Sequence, residues 1–334
     1  MVKEVVLSGI RPTGFLHLGN YFGAMRNYVR MQDEYDCYFF VANWHALTTH
    51  PDTQTLKAAV HRVIAENIAC GLDPEKVCLY VQSDVPEIAE LYLYLNTLAY
   101  KGELEKTTTF KDKARQQPDN INAGLLTYPV LQAADILIHR AVKVPVGKDQ
   151  EQHLEMARTF AERFNYRYGD VLPLPYAFNY GGELTKILSL DGIGKMSKSE
   201  NQLATLYLAD EDDDIRKKIM KAKTDAGPAL PNSTKPDYIE NLFTLMNIVS
   251  SKETVEKFES DFNNSSSGNC IIRYGDMKKQ LAEDMVQFIT PIRSKAADLQ
   301  ENKELLEKII QQGADKARAS ASATLKLVRK AILG

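Results

Sequence analysis

The sequence predicts an α/β protein: a doubly wound parallel sheet over residues 1–200, followed by an all-helical part over residues 201–334. Three observations carry that expectation. Short continuous apolar runs alternate with helix-period segments in the first hundred residues, the pattern of strands covered on both faces. Each run is followed by a segment long enough for a crossover helix, so neighbouring strands are parallel and the connections right-handed. After Glu211 strand signals almost vanish.

Val5-Val6-Leu7 is the first strand, and Leu18, Phe22, Met25 and Val29 then recur at helical spacing. The run from Cys37 to Ala42 is the second strand. Leu56, Val60, Val63, Ile64, Asn67 and Ile68 give an amphipathic helix that Gly71 ends. Val77 to Gln82 is a third strand. A helix from about Pro86 follows, with Leu91, Leu95 and Leu98 on one face. Tyr128 to Asp135 reads as one helix that brings Tyr128, Gln132 and Asp135 together. In the second half, helices are expected over Ile215 to Lys223, Tyr238 to Val249, Val255 to Phe262, Gly275 to Ile292 and Glu304 to Leu333. Asn263 to Gly268 is a polar loop between two of them.

Bulk properties exclude several classes. A chain of 334 residues with 44% hydrophobic and 25% charged residues can bury a proper core. No apolar run approaches the roughly 18 residues of a membrane span, and Met1 to Leu7 is too short and too charged for a secretory signal. A cytoplasmic enzyme is expected. The four cysteines, Cys37, Cys70, Cys78 and Cys270, show no metal-knuckle spacing and no disulfide framework, so neither zinc nor an iron–sulfur cluster is expected. A net charge of −3 argues against indiscriminate nucleic-acid binding but leaves room for a local basic face.

Two stretches carry chemistry. His17-Leu18-Gly19-Asn20 follows the first strand and the turn Ser8-Gly9-Ile10-Arg11-Pro12-Thr13-Gly14. Such a turn lets backbone approach a nucleotide closely, and His17 offers a donor toward phosphate. Gly194-Lys195-Met196-Ser197-Lys198-Ser199 follows the apolar run Ile187 to Leu190. Two lysines and two hydroxyls in a Gly-flanked loop suit triphosphate oxygens and a leaving pyrophosphate. A half-buried histidine at a helix start and a solvated basic turn are the plainer readings of each stretch alone. Between them, Asp135 sits amid Leu131, Ile136 and Leu137, where a carboxylate is costly to bury without a donor. A bound ligand or a partner within the protein could supply it. An indole N–H, donor only, matches an acceptor-only carboxylate; a phenol would also suit it.

In order and setting, the two stretches resemble the HIGH and KMSKS signatures of class I aminoacyl-tRNA synthetases. Asn20 stands where the signature has its second histidine, keeping a hydrogen-bond donor and losing a charge; the tryptophanyl branch commonly has a non-His residue there. The turn Ser8 to Gly14, Trp44-His45-Ala46-Leu47-Thr48, Gly102-Glu103-Leu104-Glu105, Tyr128 to Asp135 and Val144-Pro145-Val146-Gly147-Lys148-Asp149-Gln150 are similar to the bacterial tryptophanyl-tRNA synthetases over nearly the whole length.

That resemblance implies a Rossmann-like, HUP-type catalytic domain over 1–200 and a helical anticodon-binding domain over 201–334, with room for the last helices to pack back on the first. It implies that ATP is the substrate, with Mg²⁺ held mainly by its phosphates. It gives His17, Asn20, Lys195 and Lys198 the catalytic roles. Arg11, Pro12, Thr13, Gly19, Gly147, Lys148, Asp149, Ile187, Met196, Ser197 and Ser199 join them in contacting ATP, and Gly19 leaves space for the adenine plane. Asp135 recognises the indole nitrogen, and Leu7, His45, Tyr128, Gln132, Val144, Val146 and Gln150 line or close the amino-acid pocket. The partners implied are L-tryptophan and tRNA(Trp), with a homodimer and no membrane.

Three departures stand out. Arg11 replaces a usual Gln, Lys148 a usual Glu, and Gln132 a frequent Met. Tyrosyl enzymes also use Tyr-xxx-Gln-xx-Asp, which keeps tyrosine as an alternative substrate; Val-Pro-Val-Gly-x-Asp-Gln favours tryptophan. A nucleotidylyltransferase sharing the first motif and a catalytically silent RNA-binding paralogue are further alternatives. Lys316, Arg318, Lys326, Arg329 and Lys330 give the last helix a basic face, for tRNA or simply for solvent. His45 alone reads equally as a cap at a strand end, and Trp44, the one tryptophan, as packing.

Overall fold

The computed structural model describes residues 3–147, 150–180, 187–197 and 201–334. Lys148, Asp149, Lys198 and Ser199, assigned to ATP above, lie outside them. Contacts divide the chain into two compact units. One comprises Met1–Thr13, Tyr28–Gly182 and Leu299–Gly334; the other comprises Gly14–Asn27 and Glu183–Asp298. This division differs from one cut at 200/201, because the last helix groups with the sheet and the His17 segment groups with the helices.

The first unit holds a five-stranded parallel sheet of β1 (Val5–Ile10), β2 (Asp36–Val41), β3 (Cys78–Val81), β4 (Lys143–Val144) and β5 (Tyr176–Ala177), in the order β3-β2-β1-β4-β5. The first three coincide with the expected runs, with no end shifted by more than three residues. Val6 pairs in register with Cys37 on one side and Lys143 on the other. The strand order therefore reverses beside β1, where an open parallel sheet leaves a crevice at its carboxyl edge. β4 and β5, two residues each, had no signal in the sequence.

Helices Thr53–Ala69 and Glu87–Asn96 follow β2 and β3 as expected, the first ending before Gly71 at φ +113° and the second stopping short of Leu98. Helix Ala123–Ile138 contains Tyr128 to Asp135 and continues to either side. One core joins Leu7, Phe40, Tyr80, Leu91, Leu95, Ile136, Phe160 and Phe164 to Ala317, Ala321, Leu325 and Val328 of helix Lys303–Leu333. That last helix lies on β3 with Gly313 against the strand: a Cβ at Gly313 would stand 1.8 Å from the Leu79 carbonyl oxygen. Of its cations, Lys316 donates to the Pro74 carbonyl at 3.0 Å, Arg318 to the Asp84 carbonyl, and Arg329 to Glu90 at 2.7 Å. Those three charges contact acceptors of their own unit.

His139 shows how this helix is tied in. Its Nε2 meets Tyr80 Oη at 2.9 Å, its Nδ1 meets Ser320 Oγ at 3.2 Å, and its ring stacks on Tyr38. Burial pushes the imidazole down to about 3 from its ordinary 6.5. The unfolded chain binds a proton near 6.5 and folded His139 does not, so its stabilisation is full above that pH and falls towards pH 3. In His139→Gln, the fall in unfolding free energy across this window, followed by urea denaturation, should be shallower than in the parent. Burial also pushes the thiols of Cys37 and Cys78 up to about 12, consistent with inert core cysteines.

The second unit is helical: Asp212–Met220, Asp237–Val249, Lys252–Asn263 and most of Tyr274–Glu301. The helix expected to reach Lys223 stops at Met220, and Lys223 N–H instead donates to the Leu190 carbonyl at 2.8 Å. The helix expected to stop at Ile292 runs through Pro291 to Glu301. Proline there removes one N–H, and buried Met285, Ile289 and Ala296 on the helix offset that loss. None of the described helices is long and apolar enough to cross a membrane.

Candidate active site

At the reversal point beside β1 the first unit encloses a cavity of about 450 Å³. Leu7, Ser8 and Gly9 reach it from β1, Phe40 and Ala42 from the end of β2, and Val144 to Gly147 from the end of β4. Helix Ala123–Ile138 supplies Tyr128, Gln132, Asp135 and Ile136. Every residue assigned to the amino-acid pocket lines this one cavity, and so do Arg11 and Gly147 from the ATP set.

Asp135 is the electrostatic centre of this cavity, with 0% exposure. Its Oδ2 accepts from His45 Nε2 at 2.8 Å, and Gln82 Nε2 lies 2.8 Å from Oδ1 and 3.0 Å from Oδ2. Burial raises the carboxyl above the ordinary Asp value, while the His45 and Gln82 hydrogen bonds pull it back. The donor required for a buried carboxylate is thus present within the protein. A carboxylate offers about four lone-pair sites, and these contacts leave acceptor capacity for a ligand N–H. His45 is more than a strand-end cap: it sits in helix Asn43–Ala46 and clamps a residue 90 positions away.

A second polar chain runs Tyr128–His153–Gln150. Tyr128 Oη meets His153 Nε2 at 2.7 Å and His153 Nδ1 meets Gln150 Oε1 at 3.1 Å. Lys113 Nζ stands 4.1 Å above the Tyr128 ring. Burial, with some help from Arg11, pushes the Lys113 ammonium down to about 8. Ser8 Oγ and Tyr28 Oη hydrogen-bond at 2.6 Å on the same wall. Acceptors, a carboxylate and two basic side chains in one cavity suit a zwitterionic amino acid with a donor on its side chain.

The other unit gathers the two signature stretches. His17 is the N-cap of helix Leu18–Asn20; its Nδ1 accepts the Asn20 N–H at 3.3 Å, and its own N–H donates to Asn20 Oδ1 at 3.2 Å. An accepting Nδ1 places the proton of a neutral imidazole on Nε2. Asn20 here clasps the helix start through its carbonyl oxygen. A Cβ on Gly19 would lie 2.9 Å from His17 Nδ1 and 3.4 Å from the Met196 carbonyl, so the missing side chain admits these two stretches to close quarters.

Ile187 to Met196 forms a hairpin, with Met196 N–H donating to the Ile187 carbonyl at 3.0 Å and Ser189 N–H to the Gly194 carbonyl at 3.2 Å. Gly192 and Gly194 take φ of +75° and +70° at its turn, where a side chain would be strained. Asn241 holds the hairpin, donating to the Leu188 carbonyl and accepting its N–H. Ile187 and Met196 are buried and Lys195 is exposed. Pro12 is buried and Thr13 exposed; neither lines the cavity.

Gln82, His153, Lys113 and Thr109 belong to the cavity or its support and were missed. Gln82 had a faint signal, a polar residue closing an apolar strand at the edge where ligands bind. The others depend on helix packing alone. Among the described residues no cluster of three His, Cys, Asp or Glu side chains could hold a metal ion.

Known proteins resemble this chain over nearly its whole length. Residues 3–290 match the family of class I tRNA synthetases for W and Y. A tryptophan–tRNA ligase from Porphyromonas gingivalis is 58% identical over 330 residues, covering 98% of this chain and 99% of that protein. The tryptophanyl-tRNA synthetase from Campylobacter jejuni, solved with ADP and tryptophan, superimposes with a TM-score of 0.85 at 33% identity, over 98% of each chain. The tyrosyl-tRNA synthetase from Aeropyrum pernix shares the fold, with a TM-score of 0.66 at 21% identity over 93% of this chain and 89% of that one. The chain therefore belongs to the class I aminoacyl-tRNA synthetases, in their tryptophanyl branch.

Proposed function

We propose that this protein activates L-tryptophan with ATP and transfers it to tRNA(Trp), giving Trp-tRNA(Trp), AMP and pyrophosphate. The observation that carries the reading is a buried carboxylate, Asp135, held by two donors against the cavity beside β1. In the first step a tryptophan carboxylate oxygen attacks the α-phosphorus of ATP and pyrophosphate leaves. In the second, a terminal ribose hydroxyl of the tRNA attacks the activated carbonyl and AMP leaves. No side-chain nucleophile is required; positioning and charge stabilisation carry the rate.

Asp135 takes the indole N–H, and Leu7, His45, Tyr128, Gln132, Val144, Val146 and Gln150 shape the pocket. Tyr128 and Gln150 present oxygens suited to the substrate ammonium. His17 Nε2–H and the lysines of the Lys195 loop serve the phosphates, with Asn20 fixing the histidine. Mg²⁺ enters with ATP, held mainly by its phosphates. The helical unit is assigned to the anticodon end of the tRNA, and the reaction to the cytoplasm. A homodimer is supported by exposed Leu47, Leu93 and Ile121 of the sheet unit and by an apolar cavity lined by Trp44, Leu47, Tyr92 and Leu131.

ATP–pyrophosphate exchange with each of the twenty amino acids tests the assignment. Tryptophan should support exchange far above the other nineteen. Exchange with tyrosine alone would overturn the substrate, and absence of exchange would revive a silent RNA-binding role.

A further inference from the structure

One side chain that does not itself line the cavity touches Asp135 twice and has no assigned role. Gln82 follows β3, is 0% exposed, and points its Nε2 at both oxygens of Asp135, 2.8 and 3.0 Å away. Its other end is also fixed: Oε1 accepts the Trp44 backbone N–H at 3.0 Å. An amide flipped by half a turn would set its oxygen against the carboxylate and its N–H₂ against the Trp44 N–H. Both contacts would be lost at once, so only one orientation is permitted.

The segment carrying Trp44 is itself fastened to the segment carrying Gln82. Asn43 Nδ2 donates to Ser83 Oγ at 2.8 Å, and Ser83 N–H donates to Asn43 Oδ1 at 3.1 Å. The ends of β2 and β3 are thereby joined side by side. From this joint come both groups that hold Asp135: His45, one residue after Trp44, and Gln82. A buried carboxylate with no donors would turn about its side-chain torsions or take up a proton, and a protonated carboxyl presents a donor where an indole N–H needs an acceptor.

We propose that Gln82 is a positioning residue for amino-acid selection. It sets the plane of the Asp135 carboxylate and keeps it an acceptor, without touching the reacting atoms. Its contribution appears in the recognition of the substrate N–H and leaves the adenylation step alone. This inference rests on Asp135 as the reader of the indole nitrogen.

Two variants separate positioning from space-filling. Gln82→Met keeps length and apolar stem and removes both polar contacts. Gln82→Glu keeps the acceptor for the Trp44 N–H and replaces the donor with a second carboxyl beside Asp135. Exchange kinetics are read with tryptophan and with 3-benzothienylalanine, which has sulfur in place of the N–H, alongside a thermal melt of each protein. Gln82→Met should raise KM for tryptophan about tenfold or more, the loss expected for one charge-assisted hydrogen bond. Its kcat and its KM for the sulfur analogue should hold close to the parent. Gln82→Glu should weaken tryptophan further than Gln82→Met, despite its closer shape, because two adjacent carboxyls share a proton. Parallel losses for both substrates, or a Gln82→Glu enzyme that binds tryptophan better than Gln82→Met, would overturn the proposal and leave Gln82 a packing residue. Failure of the tryptophan reading shows separately, in a parent enzyme that exchanges with another amino acid or does not distinguish tryptophan from the sulfur analogue.

Discussion

Asp135→Asn should fold normally and lose roughly 10²–10⁴-fold in kcat/KM for tryptophan, the range expected when a buried polar match is broken. The carboxylate accepts at both oxygens: Gln82 donates to each, and His45 adds a bond to Oδ2. An asparagine has one acceptor oxygen and one N–H₂ group. Either orientation sets that N–H₂ against a donor, and the indole N–H competes for the single oxygen left. The loss should be specific to ligands with the N–H, so 3-benzothienylalanine should lose much less, and discrimination between the two should narrow. Exchange kinetics on both substrates with a melt of the variant measure this. Unchanged discrimination would show that the indole nitrogen is read elsewhere.

Gly313→Ala should destabilise the protein by about 3 kcal/mol, at the upper end of overpacking costs. The sign is the informative part. In an exposed helix interior, Gly to Ala is stabilising by up to about 1 kcal/mol. At Gly313 the new Cβ would fall 1.8 Å from the Leu79 carbonyl oxygen and 2.7 Å from its carbon. Both atoms are strand backbone, with Leu79 in register against Phe39, so they cannot swing aside. The helix must back away from β3, loosening Ala317, Ala321, Leu325 and Val328 in the core. For a unit of this size the melting temperature should fall by roughly 6–12 °C. A melting temperature equal to or above the parent's would mean that the helix does not need this close approach.

Gly313 also marks a limit of reading from sequence. Periodicity correctly gives a long amphipathic helix near Glu304 to Leu333, but it does not say which surface the apolar stripe covers. A lone glycine in that pattern is a weakness by propensity and becomes a requirement only when β3 is laid beneath it. The basic residues show the same limit. Lys316, Arg318 and Arg329 look available for a polyanion in the sequence, and in the structure each meets an acceptor of its own unit. β4 and β5 were illegible because two-residue strands have no period to detect. They exist because Val6 on β1 had an unpaired edge that Lys143 could meet.

The candidate site was legible in proportion to how local its chemistry is. His17 to Asn20 and Lys195 to Ser199 are contiguous, and together, in order and setting, they point to phosphate chemistry without any fold. Asp135 was conspicuous because a carboxylate within an apolar helix has to be explained. Its partners were less so. Gln82 lies 53 positions before it and His45 lies 90 before it, and glutamine in an apolar strand end has several ordinary explanations. Lys113, His153 and Thr109 join the cavity only because helices Thr108–Gln116 and Glu151–Tyr168 are carried to its wall.

The sequence by itself determined the class of chemistry, the first three strands and the one carboxylate, Asp135, that an apolar helix has to account for. These follow from residue type and short-range spacing, which are properties of a stretch of chain. Only the tertiary structure decided that Asp135 is held from the joined ends of β2 and β3, and that the last helix belongs to the sheet unit. It also decided that Asn20 clasps His17 and leaves the histidine's outer nitrogen to carry the proton. Each of these is a hydrogen bond or a close contact whose geometry depends on backbone placement, and residue type alone does not specify it.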